Sequence, residues 1–266
     1  MDELIQFPRG GTILTQSSFS ELSFISHGVT TRKGGCSGGE YSQFNQGLNT
    51  GDDASLVNAN RKILAEGLGI RLHKMVYAQQ VHGTHVACID QDFFSAVAEG
   101  QPLVSAQTDA LITRIPGIAL NILTADCIPV FIVDTRCKAI GLAHAGWRGT
   151  YEGIAGKTLH AMKKCFGTAP SDCLAWIGTG ICESCYEVSE ELSMDFTTRF
   201  KPLGFCSRDH HLDLMNLNFL QLQDAGMAPD AIEISGYCSY HHPELFYSYR
   251  RSAGMSGRMA SFLILK

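Results

Sequence analysis

The stretch DALITRIPGIALNILTADCIPVFIVDTRCKAIGLAHA, residues 109–145, decides the fold. It contains four short apolar runs rich in Ile, Val and Leu, which are DALIT, GIALNIL, CIPVFIVD and AIGLAHA. The turn sequences RIPG, TAD and TRCK separate these runs. Runs this short, divided by turn residues, predict buried β-strands rather than helices.

Helical patterns lie on both sides of these strands. Residues 52–69 begin with an aspartate that can cap a helix, continue with apolar residues at helical spacing, and end at a glycine. Residues 150–167 carry apolar residues on one face and also end at a glycine. Further helices are predicted from Ser189 and after Asp213, and the last strands around AIEIS and MASFLILK.

Strands and helices do not alternate regularly along the chain. This pattern predicts an α+β fold, with mixed β-sheets flanked by helices in a layered arrangement, rather than a doubly wound fold. Residues 31–47 are rich in glycine and predict a surface loop, and KMVYAQQVHG predicts a strand that ends at His82. No linker or repeat divides the sequence, so we expect one catalytic domain over residues 1–266.

The composition excludes several classes of function. The chain has 266 residues, 45% of them hydrophobic, and a net charge of −5, so it lacks the basic character of a nucleic-acid-binding protein. The N-terminal MDELIQFPRGG does not resemble a signal peptide, and no apolar run is long enough to span a bilayer. We therefore expect a cytoplasmic protein, monomeric, with a small-molecule substrate and no nucleic-acid or membrane partner.

Ten cysteines are many for such a chain, and without secretion they predict free thiols rather than disulfides. Cys88, Cys137 and Cys165 lie in apolar surroundings and are interpreted as small buried hydrophobic residues. Cys182 and Cys185 form a C-x-x-C motif, but a closed zinc ribbon needs a second such pair, and the sequence contains no other C-x-x-C. We interpret this pair as structural, or at most as lining the cleft.

Three potential metal ligands each lie where an apolar run meets a turn. They are His82 in QQVHGTH, Cys127 in LTADCIPVF and His144 in GLAHAGWRG. Cys127 and His144 fall on two strands of a predicted hairpin, so we expect them to lie close together. Two imidazoles and one thiolate match an open zinc site, in which a fourth position is left for water or substrate. Zinc lowers the pKa of a water in such a site to about 7.

The residues alone leave other interpretations open. A buried cysteine and a histidine that caps a turn are each common, and a His₂Cys set also resembles a mononuclear copper site. The sequence lacks the H-E-x-x-H motif and the H-x-E with P-C-x-x-C pattern of zinc deaminases. It also lacks the H-x-H pairs expected of a trinuclear copper cluster, which disfavours a copper oxidase.

Seven motifs in order give the chain a marked resemblance to one bacterial family. That family has been called laccase-like multicopper polyphenol oxidoreductase, purine nucleoside phosphorylase and peptidoglycan editing factor. The resemblance covers nearly the whole chain from His27 onward. The motifs are HGVTTRKGG, QQVHGTHV, LTADCIPV, AHAGWRGT, CYEVSEEL, HLDL and FYSYRR.

The resemblance implies a fold, a metal site and several activities. The family's zinc ligands fall on His82, Cys127 and His144, with copper as the older assignment of the metal. The implied fold is an α+β arrangement that has been likened to toxin-type cysteine hydrolases. The implied activities are phosphorolysis of purine nucleosides and methylthioadenosine, deamination of adenosine, copper-dependent phenol oxidation, and removal of misincorporated serine from a peptidoglycan precursor.

Phosphorolysis requires a phosphate site, for which arginines are the candidates. Arg148 stands just before the helix predicted from Thr150, whose free N–H groups and dipole favour an anion. Arg32, Arg250 and Arg251 are further candidates, because a guanidinium matches phosphate with two hydrogen bonds.

Two other residues are predicted to act on the substrate. Asn45 is predicted to bind the ribose or base, and His85 to carry a proton.

Two alternatives to a zinc enzyme remain open. In a cysteine hydrolase, Cys127 would be the nucleophile and His144 its base. In a metal-binding module without activity, a fourth ligand such as Cys238 would close the site.

Overall fold

Two mixed β-sheets form the framework of the protein. The computed structural model describes residues 1–6, 11–97 and 101–266. Within these residues the strands are β1 (Asp2–Gln6), β2 (Thr12–Gln16), β3 (Ile25–Thr30), β4 (Met75–Ala78), β5 (Val86–Cys88), β6 (Leu103–Ser105), β7 (Ala110–Thr113), β8 (Ala119–Thr124), β9 (Ile128–Asp134), β10 (Ala139–Ala145), β11 (Cys173–Ile177), β12 (Ile232–Ile234) and β13 (Met259–Leu265).

Each sheet combines parallel and antiparallel neighbours. The first sheet has the order β1-β2-β3-β13-β8-β4-β6, and the second has the order β12-β11-β9-β10-β7-β5. In the first sheet β13 and β8 are antiparallel while β4 and β8 are parallel. In the second, β9 and β10 are antiparallel while β11 and β12 are parallel. The predicted α+β fold with mixed sheets is confirmed, and the four runs that decide it are β7 to β10.

The longer helices cover the outer faces of the two sheets. The predicted helices after Asp53, Ser189 and Asp213 are present, and each of these residues accepts a backbone hydrogen bond as its N-cap. The helices in the described residues are α1 (Ser17–Ser20), α2 (Ala54–Gly67), α3 (Gln91–Ala96), α4 (Trp147–Tyr151), α5 (Ile154–Phe166), α6 (Glu190–Phe200) and α7 (Leu214–Asp224).

The helix predicted over residues 150–167 is in fact two helices. Gly153 adopts a left-handed conformation, with φ of 78°, between the end of α4 and the start of α5. Arg148 therefore lies inside the short α4, and the prediction that it precedes a helix N-terminus is wrong. The break turns the chain sharply after the HAGWRG motif, because a left-handed residue cannot continue an α-helix.

Alternating side chains of β9 build two separate apolar layers. Ile128, Val130 and Ile132 pack in the layer between the second sheet and helices α5 to α7. Phe131 and Val133 point the other way and pack in the layer between the two sheets. Period-two alternation with both faces apolar is what a strand in the interior of a layered fold requires. Because the two sheets share the middle layer, the described residues form one domain.

The outer face of the first sheet is covered separately. Alternate residues of β13, namely Ala260, Phe262 and Ile264, pack against Leu64 of α2 and Phe44 of the glycine-rich loop. The structure thus has four layers: α2, the first sheet, the second sheet, and helices α5 to α7. Among the described residues, no helix is both long and apolar enough to cross a membrane.

The burial predicted for three cysteines is wrong. Cys88 and Cys137 are partly exposed, and Cys165 is exposed. Cys88 lies on β5 at the edge of the second sheet, Cys137 lies in the turn between β9 and β10, and Cys165 lies in the last turn of α5. Apolar neighbours in sequence do not bury a residue that lies at an edge or an end.

We expect Phe131→Ala to lower the free energy of unfolding by about 3–5 kcal/mol, because it removes a large side chain from the middle layer. The Phe131 side chain is fully buried, and its ring stacks on Trp176 with centroids 4.7 Å apart. Met194→Ala on α6, at a residue that is 61% exposed, should change stability by less than about 0.5 kcal/mol. Urea unfolding of both variants tests this, and equal midpoints would contradict the layered packing.

A candidate metal centre at the boundary between the sheets

The register of one hairpin brings Cys127 and His144 together. In the antiparallel pair of β9 and β10, Ala145 faces Ile128 and His144 faces Pro129. Cys127 directly precedes β9, so its side chain lies at the end of the sheet where β10 finishes. The proximity predicted from the sequence is confirmed.

His82 reaches the same edge from a loop rather than from a strand. Strand β4 ends at Ala78, so the prediction that the strand runs to His82 is wrong. The side chain of Gln80 fixes this loop, because it donates to the carbonyl oxygen of Leu123 at 2.7 Å and accepts from the N–H of Leu123 at 2.7 Å. His82 itself has φ of 59°, a left-handed conformation that is uncommon outside glycine.

One buried carboxylate, Asp109, holds both histidines. Its oxygens accept hydrogen bonds from the backbone N–H groups of Val81, His82 and Gly83, at 3.2, 3.0 and 2.7 Å. The same carboxylate lies 2.9 Å from Nδ1 of His144. Sequence reasoning missed this residue, and its signal was an acidic residue at the start of a buried strand, where an unpaired charge would be costly.

The three predicted ligands converge. The ligand atoms of His82, Cys127 and His144 all lie within 4.8 Å of one another, and the distance from Cys127 Sγ to His82 Nε2 is 4.0 Å. The bond to Asp109 occupies Nδ1 of His144, which leaves Nε2 for a metal. His144 is buried, Cys127 partly exposed and His82 exposed, so the site opens on one side. The described residues add no fourth His, Cys, Asp or Glu to this group, and Cys238 belongs to another cluster.

Two glycines explain why the GLAHAGWRGT motif contains so many small residues. A Cβ atom at Gly146 would lie 3.0 Å from both Cys127 Sγ and Cδ2 of His82, inside the space between the ligands. A Cβ atom at Gly149 would lie 3.2 Å from the carbonyl oxygen of Gly83, in the loop that carries His82. Side chains at these positions would crowd the ligands or push the loop away.

The electrostatics favour the metal-binding form of the thiol. Burial raises the pKa of Cys127, but the charges and hydrogen bonds of His144 and His82 outweigh it and bring that pKa to about 6. Burial lowers the pKa of His144, but Cys127 and Asp109 outweigh it and raise that pKa to about 9. A thiolate and two imidazoles around one gap fit zinc, and the same donor set fits copper.

Two arginines and Cys127 act electrostatically on the same side chain, Tyr186. Burial raises the pKa of Tyr186 to about 12, and the nearby Cys127 thiolate adds to the rise, while Arg250 and Arg148 oppose it. The guanidinium of Arg250 lies 5.1 Å from the Tyr186 ring centre, and that of Arg148 lies 4.2 Å from the Trp147 ring centre.

The other candidate arginines are held by main-chain carbonyls. Arg251 donates to three carbonyl oxygens at 2.7–2.8 Å, and Arg32 donates to two at 2.8 and 3.0 Å. Arg250 is exposed and also donates to the carbonyl oxygen of Glu187 at 2.9 Å. These bonds give Arg32 and Arg251 a role in fixing loops, and their contact with a substrate stays a prediction.

Asn45 and His85 also have clear local partners. Asn45 is fully buried, and its amide donates to Thr50 and Asp52, both at 3.0 Å, while its oxygen accepts from two backbone N–H groups. His85 is exposed in the loop that carries His82, and its Nδ1 lies 3.2 Å from Oγ1 of Thr108. These bonds tie Asn45 to its own loop and to the backbone of Arg258, and its role toward a substrate stays a prediction.

A cleft of about 440 Å³ has Trp147 in its wall, and the preceding residue, Gly146, lies against Cys127 and His82. Its size is within the range of small-molecule sites, and its wall combines aromatic and acidic side chains. The lining residues are Trp147, Tyr151, Ser189, Glu191, Leu192 and Asp195.

Known proteins resemble this chain over nearly its full length. A family model described as multi-copper polyphenol oxidoreductase laccase matches residues 26–266. A purine nucleoside phosphorylase of Bacteroides thetaiotaomicron is 37% identical over 98% of this chain and 99% of its own. Adenosine deaminase RL5, from an unknown prokaryotic organism, is 34% identical over 78% of this chain and 81% of its own. The crystal structure of YlmD from Geobacillus stearothermophilus superposes with a TM-score of 0.88 at 32% identity, covering all of both chains.

We expect Asp109→Asn to lower metal affinity by about 10–100-fold, because the variant weakens the bond that orients His144. Competition with a chromophoric chelator measures this affinity. Asp230→Asn, at an exposed acid far along the chain, serves as the control and should bind like the wild type. Equal affinities for both variants would contradict the role of Asp109.

In metal-free protein, alkylation of Cys127 should reach half its maximal rate near the pKa of about 6. The pKa is lowered, so the reactive thiolate is present above that pH, whereas an unperturbed thiol requires about pH 8.5. Iodoacetamide labelling at a series of pH values, followed by peptide mass spectrometry, measures this rate. Added zinc should suppress labelling, and a half-maximum near pH 8.5 would contradict the assigned electrostatics.

Proposed function

The chain belongs to the multi-copper polyphenol oxidoreductase laccase family, and we propose that it is a zinc-dependent purine nucleoside enzyme. It would cleave adenosine, inosine and methylthioadenosine with phosphate, and would deaminate adenosine. The observation that carries the proposal is the cluster of His82, Cys127 and His144, which has three protein ligands and an open side. Relatives named purine nucleoside phosphorylase and adenosine deaminase support the substrate class.

The first residues of the mechanism are those that would hold the metal. His82, Cys127 and His144 would bind zinc, which supplies a Lewis acid that polarises a substrate atom or a water. Asp109 keeps the proton on Nδ1 of His144, so Nε2 stays available as a ligand. The left-handed turn at His82, fixed by Asp109 and Gln80, keeps the exposed imidazole at the open side.

Other residues would bind and orient the substrates. Arg148 would bind phosphate through its guanidinium, because it is exposed and lies two residues after Gly146, which packs against Cys127 and His82. Trp147, between them, lines the cleft and would stack on the purine. In phosphorolysis a phosphate oxygen bonds to C1′ of the ribose as the bond from C1′ to the purine nitrogen breaks. The departing base takes up a proton, for which His85 is our proposed donor.

Deamination would use the same site with water in place of phosphate. The water oxygen bonds to the purine carbon that carries the amino group, and ammonia leaves after gaining a proton. Arg32, Asn45 and Arg251 would support the site through the loops they fix.

A cytoplasmic location and a monomeric state stay predictions from the sequence.

One observation favours a second candidate, a cysteine hydrolase. Asp109 lies 2.9 Å from His144, and His144 interacts with Cys127, which is the order of orienting group, base and nucleophile. The substrate would be an amide, such as one in a peptidoglycan precursor. A covalent acyl group on Cys127, detected by mass spectrometry after rapid quenching, would favour this candidate over the nucleoside enzyme.

Base release from inosine should require phosphate, should stop after chelation, and should return when zinc is added. His82→Ala should lower kcat/KM by at least about 100-fold, since it removes a metal ligand. His73→Ala changes an exposed histidine elsewhere and should keep wild-type turnover. Unchanged turnover in protein shown to be metal-free would refute the role of the metal, and restoration by copper alone would refute zinc.

A further inference from the structure

A second cluster of metal-ligating side chains lies outside the centre described above. The ligand atoms of Cys182, Cys185, Cys238 and His241 all lie within 4.8 Å of one another. The sequence search for a second C-x-x-C motif missed this cluster, because the partner of Cys182 and Cys185 is a C-x-x-H motif at residues 238–241. The two motifs are more than fifty residues apart in sequence.

The topology of the second sheet brings the two motifs together. Strands β11 and β12 are parallel neighbours, with Ile177 opposite Ile234, so the segments that follow them leave the sheet at the same edge. The pairing continues beyond the strands, where Gly180 pairs with Cys238 and accepts a hydrogen bond from the N–H of Ser239 at 2.8 Å. The backbone is therefore already fixed on both sides of the cluster.

Each motif forms a tight turn that aims its two side chains at the other motif. The N–H of Cys185 donates to the carbonyl oxygen of Cys182 at 3.1 Å, and the N–H of His242 donates to that of Cys238 at 3.2 Å. The N–H of Cys182 also donates to Sγ of Cys238 at 3.3 Å. Backbone N–H groups that point at sulfur stabilise a metal-bound thiolate.

One ligand atom from each of the four residues lies close enough to the others to surround one small cation, with the His241 ring offering one of its two nitrogens. Sγ of Cys185 lies 3.0 Å from Nε2 of His241, and Sγ of Cys182 lies 3.9 Å from Nδ1 of the same ring. In tetrahedral zinc sites, bond lengths of about 2.3 Å to sulfur and 2.0 Å to nitrogen place ligands roughly 3.5–3.8 Å apart. Three thiolates and an imidazole are a soft donor set, and a Cys₃His set is typical of structural zinc sites.

Other roles for these residues explain less of the arrangement. Cysteines that act as small hydrophobic residues are buried, but Cys182 and Cys185 are partly exposed and His241 is exposed. A disulfide would join two of the three cysteines and leave the third cysteine and the histidine unexplained. We propose that Cys182, Cys185, Cys238 and His241 bind a structural zinc ion in a closed four-ligand site.

The proposed ion would also help to fix the position of Cys127 in the first metal centre. Asp126, the residue before Cys127, has a left-handed conformation with φ of 91°. It is held from the segments that carry the new site: its carboxylate accepts from Oγ of Ser239 at 2.7 Å, and its carbonyl oxygen accepts from the N–H of Ile181 at 2.9 Å. Fixing residues 181 and 239 therefore fixes the approach to Cys127. This role goes beyond the proposed nucleoside chemistry and does not depend on it.

Metal content measured by mass spectrometry on protein purified under reducing conditions with zinc tests the proposal. Wild type should hold two zinc ions per chain, and Cys185→Ser and His241→Ala should each hold one. His241→Cys should keep both ions, because a fourth thiolate replaces the imidazole. Cys206→Ser, at an exposed cysteine outside the cluster, is the matched control and should keep both ions.

His82→Ala separates the two sites, since it should remove only the ion of the first centre. A wild-type content that is unchanged by Cys185→Ser, or a disulfide between any two of the three cysteines, would overturn the proposal. If Cys185→Ser does not fold, the absorption spectrum of His82→Ala protein loaded with cobalt provides the second measurement. Strong thiolate-to-cobalt absorption with tetrahedral ligand-field bands supports the closed site, and the absence of bound cobalt overturns it. A failed nucleoside assay would leave either result unchanged.

Discussion

The carboxylate of Asp109 is the constraint on which the metal centre depends. It is fully buried, and it bonds to three consecutive N–H groups of the His82 loop and to the ring of His144. The loop runs from β4 in the first sheet to β5 in the second, and Cys127 lies on another connection between the sheets, from β8 to β9. Two of the three ligands, His82 and Cys127, therefore lie on connections between the sheets. The buried carboxylate of Asp109 ties the connection that carries His82 to the third ligand, His144 on β10.

The sequence predicted the parts of this site that local pattern can encode. Short apolar runs identified β7 to β10. The short TRCK turn between β9 and β10 placed Cys127 near His144, because a short turn brings the far ends of two antiparallel strands of similar length together. The partners of Asp109 depend on tertiary contacts, because they come from the His82 loop and from β10. The break at Gly153 depends on a left-handed conformation that a glycine permits but does not require. The exposure of Cys88 was also hidden, because its neighbours in sequence are apolar but it lies on an edge strand. The pairing of C-x-x-C with C-x-x-H was also hidden, because it depends on two parallel strands far apart in sequence.

The two clusters differ in the way expected of a reactive and a structural site. The first has two ligands from connections between the sheets and one from β10, an exposed histidine, and a glycine that keeps the space between ligands clear. The second has four ligands on two tight turns at one edge of one sheet. An open coordination position permits chemistry and a closed one provides stability. Asp126 connects them, since it precedes Cys127 and bonds to the segments that carry the second cluster.

Anomalous X-ray diffraction from crystals, recorded on both sides of the zinc absorption edge, tests whether His82, Cys127 and His144 bind one zinc ion. We expect a peak bonded to His82 Nε2, Cys127 Sγ and His144 Nε2, with a fourth position held by a molecule that is not protein. A peak with a fourth protein ligand, or well-ordered crystals of zinc-loaded protein without a peak at these atoms, would contradict it.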